Sequence, residues 1–318
     1  MEFRRLGNSG LKVSAIGLGG NTFGWTIDEK SSFDVINFAL EQGINYIDTA
    51  DIYDKGHSEE FVGKAIKNRR HEVILASKFS RSMGESPNFR GGSRYYIMKA
   101  IDASLKRLQT DHIDLYQMHE PDPNTPIEET LRTLDDLVKA GKVRYIGTSN
   151  FPAWQLCEAM WKSRSNNLHS FITEQPRYHI LDRKIEEELI PFCQAYNIGI
   201  IPWGPLAGGF LTGKYKRDQK PLPGWRLGTP IKIYGNMLTE DNFNKLAKLE
   251  AMAKKAGHTV GELAIAWLLA KPYISTIIAG ARDKEQVSAN IKGVEWKLSA
   301  KEVAEVDAIS AASTRSDL

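Results

Sequence analysis

A chain of 318 residues, 42% hydrophobic and 25% charged, has the composition of a globular protein with a sizeable core and excludes a disordered or low-complexity one. Its net charge of +3 is too small to argue for a nucleic-acid partner, although basic residues can still gather around a bound phosphate. Residues 1–7 hold no apolar run of the signal-peptide kind, and no stretch approaches the roughly 18 to 20 apolar residues of a membrane span, so the expectation is a cytoplasmic protein.

In chain order, residues 3–6 and 11–13, split by Gly7-Asn8-Ser9-Gly10, read as a β-hairpin able to plug one end of a larger fold. Strands are then expected at 15–18, 44–49, 73–78, 113–119, 143–148, 171–175, 199–203 and 275–279. Most are continuous Val/Ile/Leu/Tyr runs rather than strict alternations, as in strands covered on both faces. Between them lie amphipathic patterns at 32–41, 58–67, 94–108, 126–139, 154–162, 186–196 and 242–256, with Gly43, Gly141 and Gly257 as stops and Pro126 and Pro152 near starts. Residues 204–238 form one long loop rich in Gly, Pro and Lys, and a last helical pattern leaves a tail of about 312–318.

Eight strand–helix units with no linker between halves predict one domain over 1–318, an α/β fold of the (β/α)₈ TIM barrel type. It would carry an N-terminal β-hairpin cap and the long loop after strand seven. A doubly wound dinucleotide fold competes through Gly17-Leu18-Gly19-Gly20-Asn21-Thr22. The sixth position is Thr22, however, and the next helix begins only near Glu29, so the glycine turn does not open a helix.

Reactive groups of a parallel barrel gather at the C-terminal ends of its strands. Asp48 and Tyr53 follow strand two, Lys78 closes strand three and His119 closes strand four. Singly, each has an ordinary reading as a cap, a packed ring, a solvated cation or a satisfied polar group. Together they form a device for carbonyl reduction, which needs a hydride and a proton for the developing alkoxide. Tyr53 can give the proton, and a nearby Lys78 ammonium is expected to lower its ordinary pKa of about 10. Lys78 needs a carboxylate in a dry pocket, which Asp48 supplies, and His119 can hydrogen-bond the substrate oxygen and hold or relay the proton.

Gly43-Ile44-Asn45-Tyr46-Ile47-Asp48-Thr49-Ala50-Asp51-Ile52-Tyr53, continuing through Gly56-His57-Ser58-Glu59-Glu60 to Gly63, resembles the first signature of the aldo-keto reductases. Asp54 stands where many members have glycine. Ile113-Asp114-Leu115-Tyr116-Gln117-Met118-His119 with Pro121-Asp122-Pro123 resembles the second, and the likeness runs over nearly the whole chain, in the bacterial, plant and channel-subunit branches. It implies a (β/α)₈ barrel that reduces aldehydes and ketones with NADPH, with Tyr53, Asp48, Lys78 and His119 as the catalytic set.

The resemblance also implies cofactor positions. Ser149 and Asn150 would grip the nicotinamide carboxamide, with Gln175 as a third contact, and Trp203 would stack on the nicotinamide where most relatives carry Tyr. Gly204, Pro205, Leu206, Gly208 and Lys214 resemble the pyrophosphate loop, where glycines admit phosphate to backbone N–H groups. Gly280, Arg282, Gln286 and Asn290 open the last barrel helix in the pattern that holds the 2′-phosphate and adenine. Arg282 is the reason to expect NADPH, unless it pairs with Asp283.

The histidines show no metal-site spacing, Cys157 and Cys193 have no partner, and no nucleophile elbow appears, so no metal is expected. A small-molecule carbonyl substrate would meet Thr22, Phe23, Trp25 and Phe79, an aromatic rim suited to hydrophobic or ring-bearing compounds. Arg81, Arg90 and Arg94, after strand three, could attract an acidic substrate but read more readily as a solvated basic loop. The alternative function is a cofactor-binding, redox-sensing regulatory subunit with little turnover. No feature sets an oligomeric state.

Overall fold

In the computed structural model, which describes residues 1–229 and 233–311, β1 (Phe3–Arg5) and β2 (Lys12–Ser14) pair as an antiparallel hairpin. Eight parallel strands follow: β3 (Ile16–Gly19), β4 (Tyr46–Asp48), β5 (Ile74–Phe79), β6 (Ile113–Met118), β7 (Val143–Ser149), β8 (Thr173–Gln175), β9 (Gly199–Ile200) and β10 (Ile277–Gly280). They run in the order β10-β3-β4-β5-β6-β7-β8-β9. Single parallel bridges Ile200–Ile274 and Trp203–Ile278 join the two ends, so the sheet curls into a barrel. Each of the eight overlaps one of the expected runs.

The helices are α1 (Glu29–Glu41), α2 (His57–Ile66), α3 (Arg94–Leu108), α4 (Ile127–Lys139), α5 (Ala153–Ser165), α6 (Leu189–Tyr196), α7 (Glu240–Lys255), α8 (Val260–Leu269), α9 (Lys284–Glu295) and α10 (Ala300–Ser310). Among the described residues α8 has no counterpart in the expected patterns. It is buried along nearly its whole length, Trp267 included, so the polar face that marks an amphipathic helix is missing. A capping box between Thr259 and Glu262 starts it. The long loop after β9 is not structureless: it carries 3₁₀ turns at Ala207–Thr212 and Arg226–Gly228. Its residues 230–232, and the tail expected at 312–318, lie outside the described residues.

Strand alternation divides the core into two layers. Tyr46, Ala76, Leu115, Ile201 and Ile278 meet in the barrel lumen, and Leu6 and Val13 of the hairpin join them, so the hairpin closes one end. The opposite parity packs against the helices in a larger cluster that includes Ile47, Leu75, Phe79 and Tyr116. Gly7, at φ +56°, must be glycine, because a Cβ there would lie 2.1 Å from the Ile172 carbonyl oxygen. The glycine-rich run at 17–20 has a packing role as well: a Cβ on Gly17 would strike the Tyr46 ring at 2.5 Å.

Candidate active site

At the end of the barrel away from the hairpin, lumen-facing positions change from apolar to polar. Asp48 of β4 and Lys78 of β5 are 1% and 0% exposed, and Lys78 Nζ donates to Asp48 Oδ1 at 2.5 Å. Lys78 also donates to the Thr49 carbonyl at 2.9 Å and to the Tyr53 hydroxyl at 3.3 Å. Its three protons thus have three acceptors.

Burial opposes the Lys78 charge, but Asp48 and Tyr53 outweigh it, and the pKa rises above the ordinary lysine value. Tyr53 departs from expectation. Burial pushes its hydroxyl up, the Lys78 ammonium pulls it down, Asp48 pushes it up again, and the net shift is upward. The expected lowering is therefore corrected: desolvation outweighs the neighbouring cation, and Tyr53 stays protonated at neutral pH. The His119 ring stands edge-on to Tyr53, 5.7 Å between centroids at 82°. Burial first, then Lys78 and Arg81, hold its pKa well below the usual histidine range. His119 is a neutral imidazole whose buried Nδ1 has no hydrogen-bond partner among the described residues.

Tyr53 sits in a 3₁₀ turn, Tyr53–Gly56, where Asp54, Lys55 and Gly56 have φ of 45°, 56° and 99°. That left-handed path explains why glycine suits position 54. Here Asp54 accepts from His57 Nδ1 at 2.9 Å, and its carboxylate lies where a Cβ on Gly24 would reach it at 2.4 Å.

Asp48 has more partners than the sequence reading assigned. Gln175 Nε2 donates to Asp48 Oδ2 at 2.8 Å and Gln117 Nε2 at 3.1 Å, and Gln175 reaches Gln117 Oε1 at 3.3 Å. Gln175, expected on the nicotinamide, gives its amide N–H group to the Asp48 carboxylate here. Gln117 was missed. The signal was available: it shares the inward parity of Leu115 and His119 along the strand.

Ser149 and Asn150 lie beside this network. Ser149 Oγ donates to the Gln175 carbonyl at 2.8 Å, and Asn150 Nδ2 donates to Ser149 Oγ and to the His119 carbonyl, both at 3.0 Å. Trp203 Nε1 donates to Asn150 Oδ1 at 3.1 Å, and Tyr234 meets the indole edge-on at 5.8 Å. Behind β8, Glu174 is wholly buried, with Thr148 Oγ1 2.5 Å from its Oε2 and the Phe151 N–H donating to its Oε1 at 3.0 Å. Burial pushes its carboxyl up to about 8, against those hydrogen bonds.

After β9, Gly204, Gly208 and Gly209 all have positive φ, and Pro205 and Leu206 lie between them. A Cβ on Gly204 or Gly208 would come within 3.0 Å of Tyr234, so the loop folds closely under that ring. Lys214 is half-buried, 5.0 Å over the Trp225 ring, and its pKa is lowered by burial and then by Arg282 and Arg226. Arg226, which the sequence reading passed over, donates to Asn21 Oδ1 at 3.4 Å and stands 5.7 Å over Trp25. Among the described residues Lys214, Arg226 and Arg282 form no salt bridge. Asp283 caps α9 and gives both oxygens to Gln286, at 2.8 Å each, while Gln286 Oε1 accepts from the Arg282 N–H at 3.1 Å. Gly280 ends β10 and Asn290 is buried on α9. Three cations sharing one region, none of them in a salt bridge among the described residues, fit a multiply charged anion such as a dinucleotide phosphate.

The expected aromatic rim changes. Phe23 and Phe79 are fully buried in the outer core, Phe79 packed 4.8 Å from the Tyr116 ring, and Thr22 Oγ1 is tied to the Ala281 carbonyl. Trp25 is the exposed ring, at 44%. Arg81 pairs with Glu120 and Arg94 with Asp136. Another buried acid, Asp51, has one oxygen without a partner among the described residues, and burial followed by the charge of Glu59 raises it to about 7.

Comparison with known proteins agrees with this geometry. A sequence model of the aldo/keto reductase family matches residues 15–311. The chain is 36% identical over 301 residues to a probable voltage-gated potassium channel subunit beta of Arabidopsis thaliana, covering 93% of this chain and 92% of that one. It is 36% identical over 316 residues to the aldo-keto reductase YhdN of Bacillus subtilis, covering 97% and 93%. It is 34% identical over 329 residues to the versiconal hemiacetal acetate reductase of Aspergillus parasiticus, covering 95% of each.

Proposed function

The chain belongs to the aldo/keto reductase family, a family of oxidoreductases, and from that premise we propose that it is an NADPH-dependent reductase of aldehydes and ketones. The observation that carries the reading is the unbroken chain Asp48–Lys78–Tyr53, with separations of 2.5 and 3.3 Å, under a hydroxyl that stays protonated. When bound, NADPH supplies the hydride that reduces the carbonyl carbon.

The protein's part is to hold and move one proton. Tyr53 donates its hydroxyl proton to the substrate oxygen as negative charge develops there. The tyrosinate left behind is 3.3 Å from the Lys78 ammonium, which stabilises it in a site of low dielectric. Lys78 cannot swing away, because Asp48 and the Thr49 carbonyl hold its other protons. Asp48 is kept in place by the Gln117 and Gln175 amides. His119 is neutral, so its one N–H can be donated to the substrate oxygen without competing as an acid.

Lys214, Arg226 and Arg282 would hold the cofactor phosphates, with Ser149, Asn150 and Trp203 at the nicotinamide end. Trp25 would face a hydrophobic or ring-bearing substrate. Cofactor oxidation measured against a panel of aldehydes and ketones, with NADPH and NADH in parallel, tests the reading; no turnover with any carbonyl would overturn it. The likeness to a protein named as a channel β subunit favours a second reading, a cofactor-binding regulatory subunit with little turnover. Tight NADPH binding together with negligible turnover would select it.

A further inference from the structure

We propose that Glu174 is a positioning residue for the nicotinamide-binding loop, holding Ser149 and Asn150 in place as a neutral carboxylic acid, and that ionising it loosens cofactor binding. The proposal rests on the cofactor reading above.

The argument starts from counting protons. Thr148 Oγ1 lies 2.5 Å from Glu174 Oε2 and 3.2 Å from the Thr173 carbonyl oxygen. A threonine hydroxyl has one proton, and a backbone carbonyl can only accept. With Glu174 ionised, its Oε2 and the Thr173 carbonyl oxygen compete for that single proton. With Glu174 protonated on Oε2, every bond has its own proton: Glu174 donates to Thr148, Thr148 donates to Thr173, and Oε1 still accepts from the Phe151 N–H. A single proton on Glu174 therefore completes a bridge between β7 and β8, where Thr148 and Glu174 are register partners.

The surroundings favour the same state. Glu174 is wholly buried, and among the described residues no cation forms a salt bridge with it. The titratable group facing it is the Cys193 thiol of α6, whose own pKa burial and then Glu174 push up. An isolated charge there would be costly, and the upward shift of Glu174 to about 8 follows from burial.

The connection to the site is short. Phe151, which donates to Oε1, directly follows Asn150, whose backbone is left-handed at φ 61° and needs support from its surroundings. Gln175, the residue after Glu174, accepts from Ser149 through its carbonyl and reaches Asp48 through its amide. Glu174 thus sits behind the strand end that orients both the carboxamide-gripping pair and the Asp48 network, without touching substrate or cofactor.

The test uses the full chain and compares it with Glu174→Gln, whose amide reproduces the protonated acid, and with Glu174→Ala. Infrared spectra at pH 7 should show a buried carboxylic-acid C=O band in the unaltered chain that Glu174→Gln lacks. NADPH titrations by fluorescence should show the unaltered chain losing about fivefold in affinity from pH 7 to 9.5 relative to Glu174→Gln, the scale of one lost hydrogen bond. Glu174→Gln should match the unaltered chain within about twofold at pH 7, and Glu174→Ala should bind more weakly at both pH values. Equal acid bands in the unaltered chain and Glu174→Gln, or parallel pH profiles of affinity, would overturn the proposal. Failure of the unaltered chain to bind NADPH at pH 7 would overturn the cofactor reading itself and the positioning role with it.

Discussion

Trp203 Nε1 donates to Asn150 Oδ1 at 3.1 Å, so the indole that the sequence offered as a stacking face also orients the amide beside it. Asn150 in turn donates to the His119 carbonyl, which links β9, β7 and β6 across the mouth of the barrel. Trp203→Phe keeps a ring and removes that N–H. The expected result is a rise in NADPH dissociation constant of about fivefold, the scale of one neutral hydrogen bond, read by fluorescence titration.

Tyr53→Phe removes the proton donor while leaving Lys78 paired with Asp48. The rate of carbonyl reduction should fall by a factor on the order of 10² to 10⁴, with cofactor affinity unchanged. A variant retaining the full rate would exclude Tyr53 as the acid.

Asp48→Asn should be costly for stability as well as for activity. It leaves the Lys78 ammonium buried without its counter-charge, and breaking such a pair costs about 3 to 5 kcal/mol. Denaturant melts should show that loss. The double variant Asp48→Asn/Lys78→Met should be less destabilised than the sum of the two single variants, because no unpaired charge remains.

Arg282→Ala and Arg226→Ala test the phosphate site. Each should weaken NADPH binding by roughly tenfold to a hundredfold, the scale of a charge-assisted bond. Arg282→Ala should leave NADH nearly unaffected if it serves the 2′-phosphate, and equal affinities for NADPH and NADH in the unaltered chain would remove that role.

Asp51 makes a prediction about pH. Burial, then Glu59, raises its carboxyl from 3.8 to about 7, with the Tyr96 hydroxyl opposing at 3.1 Å. Between those values the folded chain binds a proton that the unfolded chain has lost, so this group lowers stability as pH rises from about 4 to 7 and adds no further slope above. Asp51→Asn should show a shallower fall of Tm across that window. Identical slopes would mean that Asp51 is ionised when folded.

Much of this molecule was legible before any coordinates. The eight apolar runs and the glycine stops carry the strand and helix periods locally, and Asp48, Tyr53, Lys78 and His119 stand at strand ends whatever the details of packing. What the linear pattern could not carry was anything decided by burial or by distance across the lumen. Helix α8 escaped because it is covered on nearly all sides and has no amphipathic stripe. Phe23 and Phe79 read as rim residues because an apolar ring near a strand end looks the same whether it faces the mouth or the helices.

The order of chemical groups along the chain is thus a property of the sequence, and with it the fold class and the placing of Asp48, Tyr53, Lys78 and His119 at strand ends. Which proton sits where belongs to the tertiary structure. Lys78 near Tyr53 suggests a lowered pKa on sequence grounds, yet the enclosed site raises it, because desolvation acts on a charge in proportion to its enclosure and no residue carries its own enclosure. The same holds for Gln117 and Gln175, which are 58 residues apart in sequence and meet on one oxygen of Asp48 only because the barrel closes.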